Sequence, residues 1–395
     1  ASAGTSNTRI GVNAGNSITS GGNYNVVIGD EAGTALTTGD ANTAIGFEAL
    51  KTEDANGFNT GVGYQALKTL NAGADAYNTA VGYNAGTSIN TGVQNTIIGG
   101  VAGDALTTGN ENTAVGYNSL ATDTQGKRST AIGTNALLTQ NFTSSSNVYN
   151  VAVGHDAGRV VTTGTNNVFV GSFCGDALTT GGANTAIGHE ALTTSEDGAN
   201  NAALGYRAGY NLTSGARNVA IGEQAGRGIT TGNDNLAMGQ QSFYAACTGN
   251  SNIGLGYRSL FSATSAASNV GIGYQSLSDL DSAAESVAVG VRALPHVSSG
   301  DSNIGIGIQT GDGDRGTALT TGTSNILIGR QVDTNAADTN YSIVIGVHSV
   351  SKGSGTGFIS AEKIFSLSKV LVKGTIMINE RIMFIRVSNS LYCQI

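Results

Sequence analysis

This chain is poor in most of what a globular enzyme uses to build a core and a site. Its 395 residues include one proline, no tryptophan and four histidines, and charged residues make up only 12%, about half the globular norm. Its 59 glycines follow no Gly-X-Y period and lack accompanying proline, which excludes collagen. No apolar run reaches the roughly 18 residues of a membrane span, so membrane insertion is not expected. With neither an initiator Met nor a signal peptide, the chain reads as a mature or trimmed product. The three cysteines, Cys174, Cys247 and Cys393, are an odd number without ligand-like spacing. Cys174 stands where neighbouring repeats carry Ala or Ser and reads as a small buried filler. The histidines (His155, His189, His296, His348) fall in different repeats, so they do not converge on one pocket. No metal, cofactor or catalytic residue is expected.

Acidic character is confined to one part of the chain. Residues 351–395 carry six basic and two acidic groups, a net +4, so the overall −8 leaves −12 on residues 1–350. Such an array argues against nucleic acid as a partner.

What the chain has is a ruler of glycine. Twenty glycines, from Gly11, Gly29, Gly46 and Gly63 to Gly329 and Gly346, mark successive repeats, and fifteen of the nineteen intervals are 17 residues. The exceptions (18, 19, 21 and 22) are all longer. A fixed period of this kind identifies a stacked solenoid. Taking each ruler glycine as position 0, position −1 is aliphatic in every repeat, −3 is Thr in many early repeats and Val or Ile in many later ones, and −4 is Asn except at Ser129, Ser286 and Ser342. β-Branched residues alternating at −3 and −1 predict a strand of about five residues per coil, with −1 and −3 facing the core. Asn at −4 predicts a corner, where it tolerates left-handed backbone angles and its amide bonds to its copies above and below. The expected fold is all-β: a parallel β-solenoid of about 20 coils over residues 1–350, on the order of 95 Å long.

Two coil variants share this frame. One reads A-G-x-x-[LIV]-T-T-G, as at Ala102–Gly109, and places its apolar residue at +7; the other reads A/S-L, as at Ala49–Leu50, and places it at +4. Position −2 is small throughout much of the array: Ala44, Gly61, Ala80, Ala114, Ala131, Ala186, Ala220, Gly254, Gly271 and Gly305 among others. If −3 and −1 face inward, these residues form an outward stripe suited to close approach, and the thin core makes lateral association of identical chains the expected outcome. Beyond about residue 351 the ruler stops. Ile364–Val372, Thr375–Asn379 and Ile382–Val387 read as strands of a small C-terminal β element over 351–395, a cap or assembly tip that covers the open solenoid end.

The string N-T-A-[IV]-G-[YFH]-x-[AS]-[LG], at Asn42–Leu50, Asn78–Gly86, Asn112–Leu120 and Asn184–Leu192, resembles repeats of viral and phage tail fibres and is similar to the head repeats of YadA-like trimeric adhesins. The resemblance spans residues 7 to about 350. It implies a left-handed β-roll assembled as a homotrimer, extracellular or on a virion surface, serving host attachment. Adhesin heads tend to use coils shorter than 17 residues, which favours the tail-fibre branch. Residues 351–395 are too short for the self-cleaving chaperone domain that ends many such fibres. The partners implied are the chain itself and a host or cell-surface glycan or protein receptor. A bacterial surface adhesin or extracellular filament subunit is the alternative within the same class.

Enzymatic alternatives fit less well. Hexapeptide acyltransferases need an aliphatic residue every six positions, which this chain does not keep. A polysaccharide depolymerase tailspike would need paired carboxylates facing a groove. Glu31 and Glu48, at +2 of adjacent coils, read instead as a surface row. The Thr-Thr pairs occur in too few coils to make an ice-binding plane. An aromatic column at +1 (Phe47, Tyr64, Tyr83, Tyr117, Tyr206, Tyr257, Tyr274) supplies candidate glycan contacts, with stacking between coils as the plainer alternative.

Overall fold

The computed structural model describes residues 4–359. They form a parallel sheet of 21 three-residue strands and a separate parallel pair, Gly126–Lys127 with Ser146–Asn147, without a helix among the described residues. From Thr8–Ile10 to Ile343–Ile345, each strand occupies −3 to −1 of its coil and pairs in register with the strands of the coils before and after, as Ala44 does with Val27 and Gly61. The solenoid outruns the expected boundary at residue 350. Gly357–Ile359 adds one more strand beside Ile343–Ile345, and the compact unit closes at Ile359. The expected strands from 364 onward lie outside the described residues.

Strands are shorter than the expected five residues because left-handed backbone closes in on both sides. Position −5 is left-handed in successive coils (Tyr24 φ 59°, Phe58 φ 64°, Tyr77 φ 53°), so the left-handed corner residue is the one preceding the Asn, and the Asn itself belongs to the turn into the strand. The ruler glycine ends the strand at φ between 121° and 154° in all twenty coils. A Cβ on Gly29 would stand 2.6 Å from the carbonyl oxygen of Gly46 in the next coil. Backbone angle and close approach both exclude a side chain there.

Asparagine at −4 stitches coil to coil. Asn218 Oδ1 accepts the backbone N–H of Asn235 at 2.9 Å, and its Nδ2 donates to the Gly232 carbonyl at 2.8 Å. The same pair of bonds recurs along the buried column, and some rungs add an amide-to-amide bond, as from Asn252 Nδ2 to Asn235 Oδ1 at 3.0 Å. The ladder is interrupted at Ser129, where Gln140 spans the gap. Its Nε2 donates to Ser129 Oγ (3.0 Å) and Asp123 Oδ2 (2.7 Å), and its Oε1 accepts from Asn150 Nδ2 (2.9 Å). A buried amide column satisfied on every side removes a penalty that a 17-residue coil with few apolar residues could not otherwise offset.

The sequence pattern assigns the two strand faces the wrong way round. Ala44, Gly61, Ala80, Ala114, Ala131, Ala186, Ala220, Gly254, Gly271 and Gly305 point into the solenoid and are buried, whereas −3 and −1 point outward. The physical reason is that the interior is filled from the turn half of the coil, by Ala at +3 and Leu at +4 or +7. The −2 residue meets the +4 residue of the preceding coil. Glycine at −2 occurs where that residue is Leu or Phe: Gly61 after Leu50, Gly254 after Phe243, Gly271 after Leu260 and Gly305 after Leu294. Four large residues at −2, Val27, Ile97, Phe169 and Leu327, follow coils with Gly at +4 (Gly15, Gly86, Gly158, Gly311), whereas Val344 follows Asp333. The two coil variants compete for one volume as well, since a Cβ on Gly33 would lie 2.7 Å from Leu36 Cδ1. In these coils the −2 residue and the preceding +4 residue trade volume with each other.

Candidate binding surfaces

Three surfaces follow from this cross-section. The first is the outer strand face. Side chains at −1 remain between a third and a half exposed through much of the array, including Val81 36%, Ile132 38%, Leu204 46%, Met238 39% and Ile306 41%. In the second half their neighbours at −3 are also mostly aliphatic, as in Val219, Leu236, Ile253, Val270, Val287, Ile304 and Ile326. A solvated antiparallel sheet would alternate apolar and polar residues, and this face does not. Association by a small-residue stripe at −2 is therefore ruled out by burial. The apolar surface available for it lies at −3 and −1.

The second surface is the aromatic column at +1. Phe47, Tyr64 and Tyr83 form a continuous stack, with centroid separations of 5.3 and 5.2 Å and interplanar angles of 20° and 12°. Tyr257 and Tyr274 stack at 5.4 Å, and Tyr206 stacks on His189 at 5.8 Å. Where ring faces are taken by neighbouring rings, edges and hydroxyls are what solvent meets. Tyr117 differs: the position below it is Gly100, where a Cβ would sit 3.5 Å from the Tyr117 ring. Sequence columns missed part of this arrangement. Phe173, at +2, swings its ring into the +1 column between His155 and His189, at 5.2 and 5.9 Å. Arg227, at +5, lies over both Tyr210 (5.9 Å) and Tyr244 (4.8 Å). Arg258 likewise joins Tyr257 and Phe261.

The carboxylates divide into two kinds. Glu48 is held by Lys51 and Lys68, each at 2.7 Å, and their ammonium groups lower its carboxyl to about 2. Lys51 also reaches Glu31 at 3.9 Å, so Glu31 and Glu48 form the ion-paired surface row that their spacing predicts. Asp176 has no such partner. Burial pushes its carboxyl up to about 6, offset in part by Arg159. With Arg159, Val160, Ala177, Thr179, Thr193 and Glu196 it lines an open hollow of about 430 Å³, the third surface. Asp104, in the same G-D-A-L-T-T-G string at Gly103–Gly109, is also raised by burial.

Cys174 and Cys247 are interior fillers, and Cys393 lies outside the described residues. Cys174 donates to the Ala186 carbonyl at 3.0 Å, and burial pushes its thiol up to about 12, far from the range of reactive thiolates. No family model and no curated protein matches the chain.

Proposed function

We propose that this chain is the shaft or head of a homotrimeric extracellular fibre, of the kind that viral and phage tails use for host attachment. The observation that supports this reading is the outer strand face. Its −1 column is aliphatic in all twenty coils, on the order of 95 Å, and its −3 column, largely Thr in the first half, is mostly aliphatic in the second. Contiguous apolar surface on that scale marks an association site rather than ordinary surface scatter. Parallel, in-register coils give every rung of the track the same geometry, so identical chains laid side by side would meet the same contact at each step. The solenoid supplies length and stiffness, and the turn half of each coil stays outward to carry recognition. The number three rests on the resemblance of the N-T-A-[IV]-G repeats.

Sedimentation equilibrium or mass photometry tests the proposal. The expected particle has about three times the 39.6 kDa chain mass and appears as a rod in micrographs. A stable monomer near 39.6 kDa would overturn it.

A further inference from the structure

We propose that a file of arginine and aromatic side chains on the coils of Gly205, Gly222, Gly239 and Gly256 binds an acidic polysaccharide through its singly charged groups. This deepens the attachment reading above and rests on it for the biological role alone.

Position +5 carries Tyr210, Arg227, Tyr244 and Phe261 in these four successive coils, between Thr193 and Ser278 of the coils on either side. The side chains meet in that order. The Arg227 guanidinium lies over Tyr210 at 5.9 Å and over Tyr244 at 4.8 Å, and Tyr244 stacks on Phe261 at 5.1 Å and 2°. Arg207 and Arg258, at +2, close the two ends, 5.3 Å from the Tyr210 centroid and 4.9 Å from that of Phe261. Ring faces are taken by neighbouring rings and guanidiniums, and each guanidinium keeps its N–H edge.

Those edges are short of acids. Arg207 Nε donates to Glu190, but Arg258 Nε donates only to the neutral Gln241 Oε1, at 2.8 Å. Arg227 makes no side-chain hydrogen bond or ion pair among the described residues, and none of its nitrogens is buried. From +2 to +8 the four coils hold no acidic residue, whereas the coils on either side hold Glu190, Glu196, Asp279 and Asp281 there. Glu223, at +1, accepts from Gln240 instead. In an array that is acidic overall, two accessible arginines without a carboxylate form a local excess of positive charge that calls for an anion from outside.

Chemistry and spacing select that anion. A guanidinium held against rings presents a fixed donor fork, which takes a pair of carboxylate or sulfate oxygens with little further loss of freedom. Each guanidinium carries one charge, which a singly charged group matches. Arg227 and Arg258 lie two coils apart, roughly 10 Å, about the span of one disaccharide. Duplex nucleic acid fits less well, since it carries a charge every ~1.7 Å and would bring them against the acidic flanks. Positions +2 and +5 belong to the turn half of the coil, so association through the strand face does not use them.

The test is isothermal titration of the full chain at low ionic strength with two acidic probes. A hyaluronan hexasaccharide carries one carboxylate per disaccharide, and a κ-carrageenan hexasaccharide carries one sulfate. Neoagarohexaose is the neutral probe and hexathymidylate the densely charged one. At least one acidic probe is expected to bind, and which one binds identifies the anionic group. Arg227→Gln combined with Arg258→Gln should weaken binding by about tenfold or more. The corresponding Lys pair keeps the charge without the fork and should fall between. Arg217→Gln, at +12 and paired with Asp234, should leave binding unchanged. The proposal is overturned if neither acidic probe binds, or if the neutral or the densely charged probe binds as well as they do. It is equally overturned if the Gln pair, with the circular dichroism of the parent, or the Lys pair binds as tightly as wild type. Should the Gln pair not fold, the probe comparison on the wild-type chain still decides. The sedimentation result is independent of this one, so failure of the polysaccharide site and failure of the fibre are distinguishable.

Discussion

Gly254 and Phe243 share one volume: a Cβ added to Gly254 would stand 2.7 Å from Phe243 Cε2. The same exchange recurs between Gly305 and Leu294, where the corresponding distance to Leu294 Cγ is 2.5 Å. Gly254→Ala should therefore destabilise the array by about 1–3 kcal/mol through overpacking. Phe243→Leu in the same chain should recover much of that loss, because Leu67 at +4 already coexists with Ala80 at −2 of the next coil. A double-mutant cycle in chemical unfolding measures the coupling, and purely additive effects would refute the shared volume.

Asn201 carries one rung of the buried amide column. Its Oδ1 accepts the Asn218 N–H at 2.9 Å, and its Nδ2 donates to the Gly215 carbonyl at 2.9 Å. Asn201→Ala leaves both groups unpaired and should cost about 2–5 kcal/mol, whereas Asn201→Ser should cost less. Ser286 already acts this way, its Oγ accepting the Asn303 N–H at 3.2 Å. Equal unfolding midpoints for the Ala and Ser variants would contradict this.

The strand face should govern assembly and leave the coil intact. Ile272 and Ile306, respectively 36% and 41% exposed in the single chain, point away from the interior. Replacing both with Asp should reduce the particle mass toward that of one chain while the far-ultraviolet circular dichroism remains that of the parent. An unchanged mass would place the contact elsewhere.

Asp176 makes the array sensitive to pH in a definite direction. Its carboxyl is raised from 3.8 to about 6, so the stability tied to its neutral form is complete below 3.8 and is lost as pH rises toward 6. The groups that act on it are Arg159, Asp156 and Glu190. Asp176→Asn should stabilise the chain by about 1–2 kcal/mol at neutral pH and by nothing measurable near its unfolded pKa. Thermal melts of both proteins at the two pH values check the sign.

The repeat, the all-β class, the in-register stacking and the amide column were all legible in the sequence, because each coil poses the same backbone problem and answers it with the same residues. Gly at 0 and Asn at −4 act through their own backbone or their immediate copies, so their periodicity was enough. Which strand face turned inward was a different matter. Alternation at −3, −2 and −1 defines two faces without naming the inner one. The deciding partners, Leu50, Phe243 and Leu294 at +4, arrive from the other half of the preceding coil. The compensating swap between glycine at −2 and Leu or Phe at +4 was the available signal, visible once those two columns are compared one coil apart. The hollow at Arg159 and Asp176 had no such signal. It depends on two side chains 17 residues apart failing to pair, and only their packing in three dimensions could decide that.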